Sequence, residues 1–239
     1  MEEERLKTEM NIADTMMEKP IGFKIKGRHF CLYPPCLGKV HLLSRLVTAL
    51  DIDMKMLEMN PYFESMKLCR DKKDIVCRML AYHTMNRRYD IQNETKVEGR
   101  SKYFAKNLDY KELAQIFMVV LTWEDVSTYI KFLGIDKEQA VKKRIMDYKN
   151  RKSSVLSFGG KSVYGTLIDW ACQRYGWTFD YVVWGISYAN LQMLMADAIS
   201  SVHLSEEEKK DLRIYDSEVI DAGDPRNRER IREMLKNGF

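Results

Sequence analysis

Tyr175-Gly176-Trp177-Thr178-Phe179-Asp180-Tyr181, running directly into Val182-Val183-Trp184-Gly185-Ile186-Ser187-Tyr188-Ala189-Asn190-Leu191, is the stretch that decides how this chain reads. Between Tyr164 and Ile199 fall three of its four tryptophans. A helix is predicted from Tyr164 to Arg174, with Gly176 as its stop. Thr178 is placed to cap a longer helix whose Asp180 suits the positive N-terminal end. A tight helical hairpin follows. Tyr181, Trp184, Tyr188 and Leu191 recur at three and four residues, as do Val183, Ile186 and Asn190, which makes a stripe broad enough to bury within the molecule. Core packing is expected for most of these side chains. Any exposed margin is a docking face, because tryptophan and tyrosine dominate binding energetics at interfaces. The candidate partner-binding residues are Tyr175, Trp177, Tyr181, Trp184 and Tyr188.

Upstream, Asn150 to Lys161 is basic, serine-rich and glycine-containing, without helical periodicity. A boundary is expected here, dividing the chain into an N-terminal domain (1–150), a linker (151–162) and a C-terminal helical module with a charged tail (163–239). Gly160-Lys161-Ser162 has the form of the end of a phosphate-binding loop, but Val155 stands where that pattern requires glycine. A flexible linker is the expected reading, nucleotide binding the alternative. Lys142-Lys143-Arg144, with Lys149, Arg151 and Lys152, reads as a solvated helix face diluted by Asp136, Glu138 and Asp147 rather than as a nucleic-acid site.

Toward the N-terminus, Phe23-Lys24-Ile25-Lys26 alternates apolar and basic residues, Gly27-Arg28 turns, and Phe30-Cys31-Leu32-Tyr33 resumes until Pro34-Pro35 forbids further pairing. That predicts a short β-hairpin. Val40, Leu42, Leu43, Leu46, Val47 and Leu50 then mark an amphipathic helix ending near Asp51. Helical spacing continues from Pro61 to Thr84, polar Asn86 to Lys102 reads as a loop, and a helix is expected from Asp109 to Leu121. Thr122 is expected to cap the next helix, Gly134 to stop it, and Asp136 to open another through Tyr148. Leu204 to Leu212 carries a serine, then acids, then lysines, the order a helix dipole favours. Gly223 to Phe239 reads as a marginal helix or an extension. The fold class is mainly α: an N-terminal β-hairpin followed by a helical domain, then a C-terminal helical hairpin module.

Composition narrows the function. Hydrophobic content of 45% indicates a globular chain, and 39 basic against 35 acidic residues make a mixed surface rather than a basic footprint. The charged start Met1-Glu2-Glu3-Glu4 shows no secretory signal, so a cytoplasmic location is expected. Trp177 to Ile199 is interrupted by Asp180, Asn190, Gln192 and Asp197, which argues for a buried helix over a membrane span. His29, Cys31, Cys36 and His41 are residues of zinc-ligating type, but their spacing matches no standard finger. Buried thiols are expected, a structural zinc being the alternative. No carboxylates pair as acid and base: Glu124-Asp125 suit a helix start, and Asp169 and Asp180 flank the aromatic hairpin. Asn93-Glu94-Thr95 is formally a glycosylation sequon. No nucleophile, base or cofactor site emerges, so no enzymatic activity is expected.

Two passages together carry a family resemblance. Phe23-x-Ile25-x-Gly27-x-x-Phe30-x-Leu32-x-Pro34, followed by Leu37-Gly38-Lys39 and a leucine-rich helix, resembles the start of tail-assembly chaperones of long-tailed bacteriophages. Tyr175-Gly176-Trp177 with Asp180-Tyr181 and the helical run after it resembles the C-terminal extension of those proteins. The resemblance implies a non-catalytic factor, in the cytoplasm of the infected bacterial host, that coats the tape measure protein, recruits tail tube subunits through its C-terminal part and leaves before the virion matures. It also implies that the C-terminal part is attached by ribosomal frameshifting, with Gly159-Gly160-Lys161 as the place where the codons would slip. A structural tail-completion or connector protein is the alternative, and a DNA-binding regulator built on Asp109 to Lys152 a third.

Overall fold

Alternation followed by a turn becomes a two-stranded sheet in the computed structural model, which describes residues 2–123, 126–152, 159–214 and 232. After helix α1 (Glu2–Met16), strands β1 (Ile21–Ile25) and β2 (Arg28–Leu32) pair antiparallel, Ile21 opposite Leu32 and Ile25 opposite Arg28. Both turn residues take positive φ, 45° at Lys26 and 81° at Gly27. This is the two-residue turn whose twist matches that of the strands, and it explains the glycine. Phe23 stacks on Phe30 at 5.7 Å, and Phe30 meets Phe104 edge-on at 5.2 Å. The sheet thereby lies on the helical core.

Helix α2 (Leu37–Leu50) ends at left-handed Asp51, as its spacing predicts. Short α3 (Met54–Met59) is capped by Asp53, and α4 (Pro61–Asp71) by Asn60 with Pro61 in its first turn. The helical region expected from Pro61 to Thr84 breaks at Lys72, so α5 (Lys73–His83) is a separate helix. Its Val76, Cys77, Leu80 and Ala81 are fully buried and centre a core completed by Leu50, Leu68, Val97, Phe104, Leu113 and Phe117.

The loop expected at Asn86 to Lys102 is instead α6 (Arg88–Ile91) and α7 (Glu94–Asn107). Polarity hid them. Asn93, the sequon asparagine, accepts a hydrogen bond from the Lys96 amide as the cap of α7. Val97 and Phe104, seven residues apart, are fully buried, while Arg78–Glu94 at 2.5 Å and Lys102–Glu98 at 2.7 Å occupy the wet face. Two apolar anchors hold the helix where its average polarity argues against one.

Helix α8 (Tyr110–Leu121) opens on a capping box between Asp109 and Glu112. Thr122 does not start the next helix. It closes α8, its amide and hydroxyl both donating to the Met118 carbonyl. Helix α9 (Val126–Phe132) follows, while Glu124 and Asp125 lie outside the described residues. Gly134 stops α9 at φ 72°, and α10 (Ile135–Lys152) runs past the predicted Tyr148.

Ser162 caps α11 (Val163–Tyr175), and Gly176 ends it at φ 65°. Thr178 accepts from the Tyr181 amide at 3.2 Å, but the long helix expected beyond it does not form. Tyr181–Gly185 is a single π-helical turn, closed by the Ile186 amide donating to the Tyr181 carbonyl. Ile186 is extended, Ser187 forms an isolated bridge with Cys36, and α12 (Tyr188–Ala196) restarts from a Ser187 cap. The break aims side chains that one continuous helix would have kept in a single stripe. Helix α13 (Glu206–Leu212) carries a Ser205–Glu208 capping box. The predicted tail, 223–239, lies outside the described residues apart from 232.

The chain forms two compact units, Met1–Ile135 with Phe158–Asp197, and Asp136–Ser157 with Ala198–Phe239. This differs from the division read from composition, because the aromatic segment belongs to the same unit as the hairpin. In the second unit Ile145 packs with Leu212 and Ile214, and the Tyr148 hydroxyl donates to Asp211.

Candidate functional site

The C-terminal end of α11 and the turn at Gly176 assemble an aromatic ladder. Trp170 meets Tyr175 edge-on at 5.5 Å, and Tyr175 stacks on Trp177 at 4.6 Å. Trp177 in turn meets Tyr181 edge-on at 5.2 Å. The left-handed glycine makes this possible by reversing the chain between two rings that then stack. Arg174 lies 5.9 Å from the centres of both Trp170 and Tyr175. Trp170 and Trp177 back onto Leu167, Ala171, Val182 and Leu191, so the ladder is anchored from below. Its outer margin is wet: Tyr181 is 44% exposed, and Phe179, between Trp177 and Tyr181 in sequence, is 64% exposed.

Three of the five predicted docking residues, Tyr175, Trp177 and Tyr181, therefore converge. The other two serve packing. Trp184 packs against Gly38 of α2, where an added Cβ would sit 2.5 Å from the indole ring. The Arg88 guanidinium covers it at 5.7 Å and pairs with Asp180. The Tyr188 amide donates to the Pro35 carbonyl at 2.8 Å, and its half-buried ring joins the Leu167–Leu191 cluster. Trp170 escaped sequence reading because it stands five residues from Tyr175, outside the three-and-four spacing that defines a stripe.

A polar cluster lies where the hairpin exit, α2, α5 and the start of α12 meet. Lys39 is 1% exposed, with Nζ 5.7 Å from the centre of the Tyr33 ring and no hydrogen-bond partner among the described residues. Burial lowers its ammonium pKa to about 8, against the opposing influence of Cys36 and Glu18. Glu18, itself at φ 53°, accepts from the Ser187 amide at 2.6 Å and from Asn190 Nδ2 at 3.0 Å. His83 is buried, its ring stacked on Trp123 at 6.4 Å. Burial and then the Lys39 charge push its pKa down to about 4. A neutral imidazole and an amine of lowered pKa are groups that catalysis uses, but both are closed to solvent. They order a junction rather than present a reactive atom.

The zinc-type residues do not converge. His29 is exposed on β2, Cys31 half-buried, Cys36 buried at the start of α2, and His41 exposed with its ring against Tyr164. Among the described residues no three His, Cys, Asp or Glu side chains are placed to hold a metal ion. All five cysteines are free thiols, and burial pushes Cys69 up to about 12 and Cys77 up to about 11. In the glycine-lysine-serine stretch Ser162 accepts from the Gly165 amide as a helix cap, while Val155 lies outside the described residues. On α10, Lys142, Lys143 and Arg144 are exposed, whereas Lys149 donates to the His203 carbonyl at 2.5 Å. Asp169 accepts from Gln173 one turn along. No described helix is long and apolar enough to cross a membrane. No family model, curated protein or solved structure matches the chain.

Proposed function

We propose that this chain is a non-catalytic tail-assembly chaperone of a long-tailed bacteriophage, which binds the tape measure protein and recruits tail tube subunits in the host cytoplasm. The observation that carries this reading is the aromatic ladder, backed onto the core at Trp170 and Trp177 and part-exposed at Tyr181, with exposed Phe179 next to it in sequence. Rigid aromatic rings at a surface supply large contact area at little entropic cost. Exposed methionines support the same reading: Met10 (63%), Met17 (81%), Met54 (59%) and Met59 (81%) offer an adaptable apolar surface to a long helical client.

Co-expression with a tape measure protein and a tail tube protein of a long-tailed bacteriophage tests this. Size-exclusion chromatography should show a complex with purified tape measure protein, and mature virions should lack the chain by mass spectrometry. Failure to co-elute with either protein contradicts the proposal. Stoichiometric presence in mature particles would replace it with a structural virion role.

A further inference from the structure

An open cleft of about 660 Å³ runs along β1, on the unit that carries the hairpin. Phe23, Lys24 and Lys26 form one wall, and Leu108 and Ile116 from the α7–α8 corner form the other. In a hairpin closed by a two-residue turn, Ile25–Arg28 and Phe23–Phe30 are the hydrogen-bonded pairs, so Gly22 and Lys24 aim their amides and carbonyls away from β2. Among the described residues β1 pairs with β2 alone, and neither Gly22 nor Lys24 makes a backbone bond outside the hairpin. The edge is open for another strand.

Charge decides what fits. Lys24, Lys26 and Lys106 are exposed around the cleft, and none joins an ion pair among the described residues. Two acids also line it, Asp109 and Glu112, which cap α8 and keep their charge, but the four lysines Lys24, Lys26, Lys73 and Lys106 outnumber them. Lys73 donates to the Leu108 carbonyl at 3.0 Å. The rim is therefore basic.

We propose that β1 and this cleft bind an extended acidic segment of a partner protein, added as a third strand. Alternate side chains of the segment are apolar toward Phe23, Leu108 and Ile116 and acidic toward Lys24, Lys26 and Lys106. Main-chain bonds to Gly22 and Lys24 hold it, and the lysines select it. A second copy pairing through β1 would bring lysine against lysine, which disfavours self-association at this edge. A nucleic acid's phosphates could accept from the Gly22 and Lys24 amides but would offer no regular row of donors to their carbonyls. No ladder residue takes part.

A fluorescent ten-residue peptide alternating valine and glutamate tests this by anisotropy, with a valine–lysine peptide and a single-stranded oligonucleotide as comparators. The acidic peptide should bind and weaken with added salt. Lys24→Glu combined with Lys26→Glu should lower affinity at least about tenfold. Gly22→Pro removes an outward amide without losing a hairpin bond, so it should abolish binding with circular dichroism unchanged. Lys24→Arg with Lys26→Arg should retain binding. Tyr181→Ala should leave it intact. No binding of the acidic peptide, equal binding of the lysine peptide or the oligonucleotide, or undiminished binding by Gly22→Pro overturns the proposal.

Discussion

Lys39 is a buried cation without a hydrogen-bond partner among the described residues. Below pH 8 it is charged in both the folded and the unfolded chain, so the folded state bears the whole expense of burying an ammonium without a hydrogen bond, on the order of 3 kcal/mol. Between about 8 and 10.5 the unfolded chain still binds the proton that the folded chain has released, so stability rises with pH through that window. Lys39→Met should accordingly raise stability at pH 7 by about 1–3 kcal/mol in urea denaturation, and the gain should vanish by pH 10.5. Glu18 keeps its bonds to Ser187 and Asn190 in that variant, so no carboxylate loses every partner. His83 gives a slope of the same sign in acid. Folded, it stays neutral down to about 4, whereas the unfolded imidazole charges near 6.5; stability should fall as pH drops through this window. His83→Gln should flatten that dependence, read as the urea midpoint against pH.

The decisive contact between elements is α2 against the π turn. Gly38 leaves room for the Trp184 indole, and Gly185 leaves room for the Tyr181 ring, which would lie 2.4 Å from an added Cβ. Gly38→Ala should cost roughly 1–3 kcal/mol, because Trp184 must leave its position to admit one methyl group. In a Trp184→Ala background the same change should cost much less, and that coupling would identify the pair as the seam. By contrast, Tyr181→Ala and Phe179→Ala should each change stability by less than about 1 kcal/mol, since Phe179 is 64% and Tyr181 44% exposed and neither belongs to the buried core. The hairpin, α2 and the Gly176 stop were legible because a turn glycine, a pair of prolines or a regular spacing announces each. Helix α7 was not, because only Val97 and Phe104 are fully buried, with Tyr103 and Ala105 half-buried beside them, within a charged surface. The π turn was not legible either. Nothing local in Tyr181 to Ser187 reports that Cys36 and Gly38, some 150 residues earlier, will dictate where the helix breaks. For the same reason the ladder was half legible: its rings were named, but which faced inward depended on that break.

At the scale of the whole chain, each compact unit is built from two separated stretches of sequence. The change of texture after Asn150 is real in composition, yet the segment beyond it returns to α2, and only long-range contacts reveal that. A fragment ending at residue 150 would strip Leu37 and Gly38 of the π turn and Glu18 of its partners on Ser187 and Asn190. It should melt earlier and less cooperatively than the full chain, and residues 163–239 alone should show little helix by circular dichroism. The functional account makes the ladder's wet margin a binding surface resting on a core that Trp184 secures. Isothermal titration of a purified tape measure fragment into the full chain and into the Phe179→Ala, Tyr181→Ala double variant tests this most directly. The account predicts measurable binding by the wild type and a loss of at least about 2 kcal/mol in the variant, with its melting temperature unchanged. Equal affinity of the two proteins, or no binding by the wild type, would contradict it.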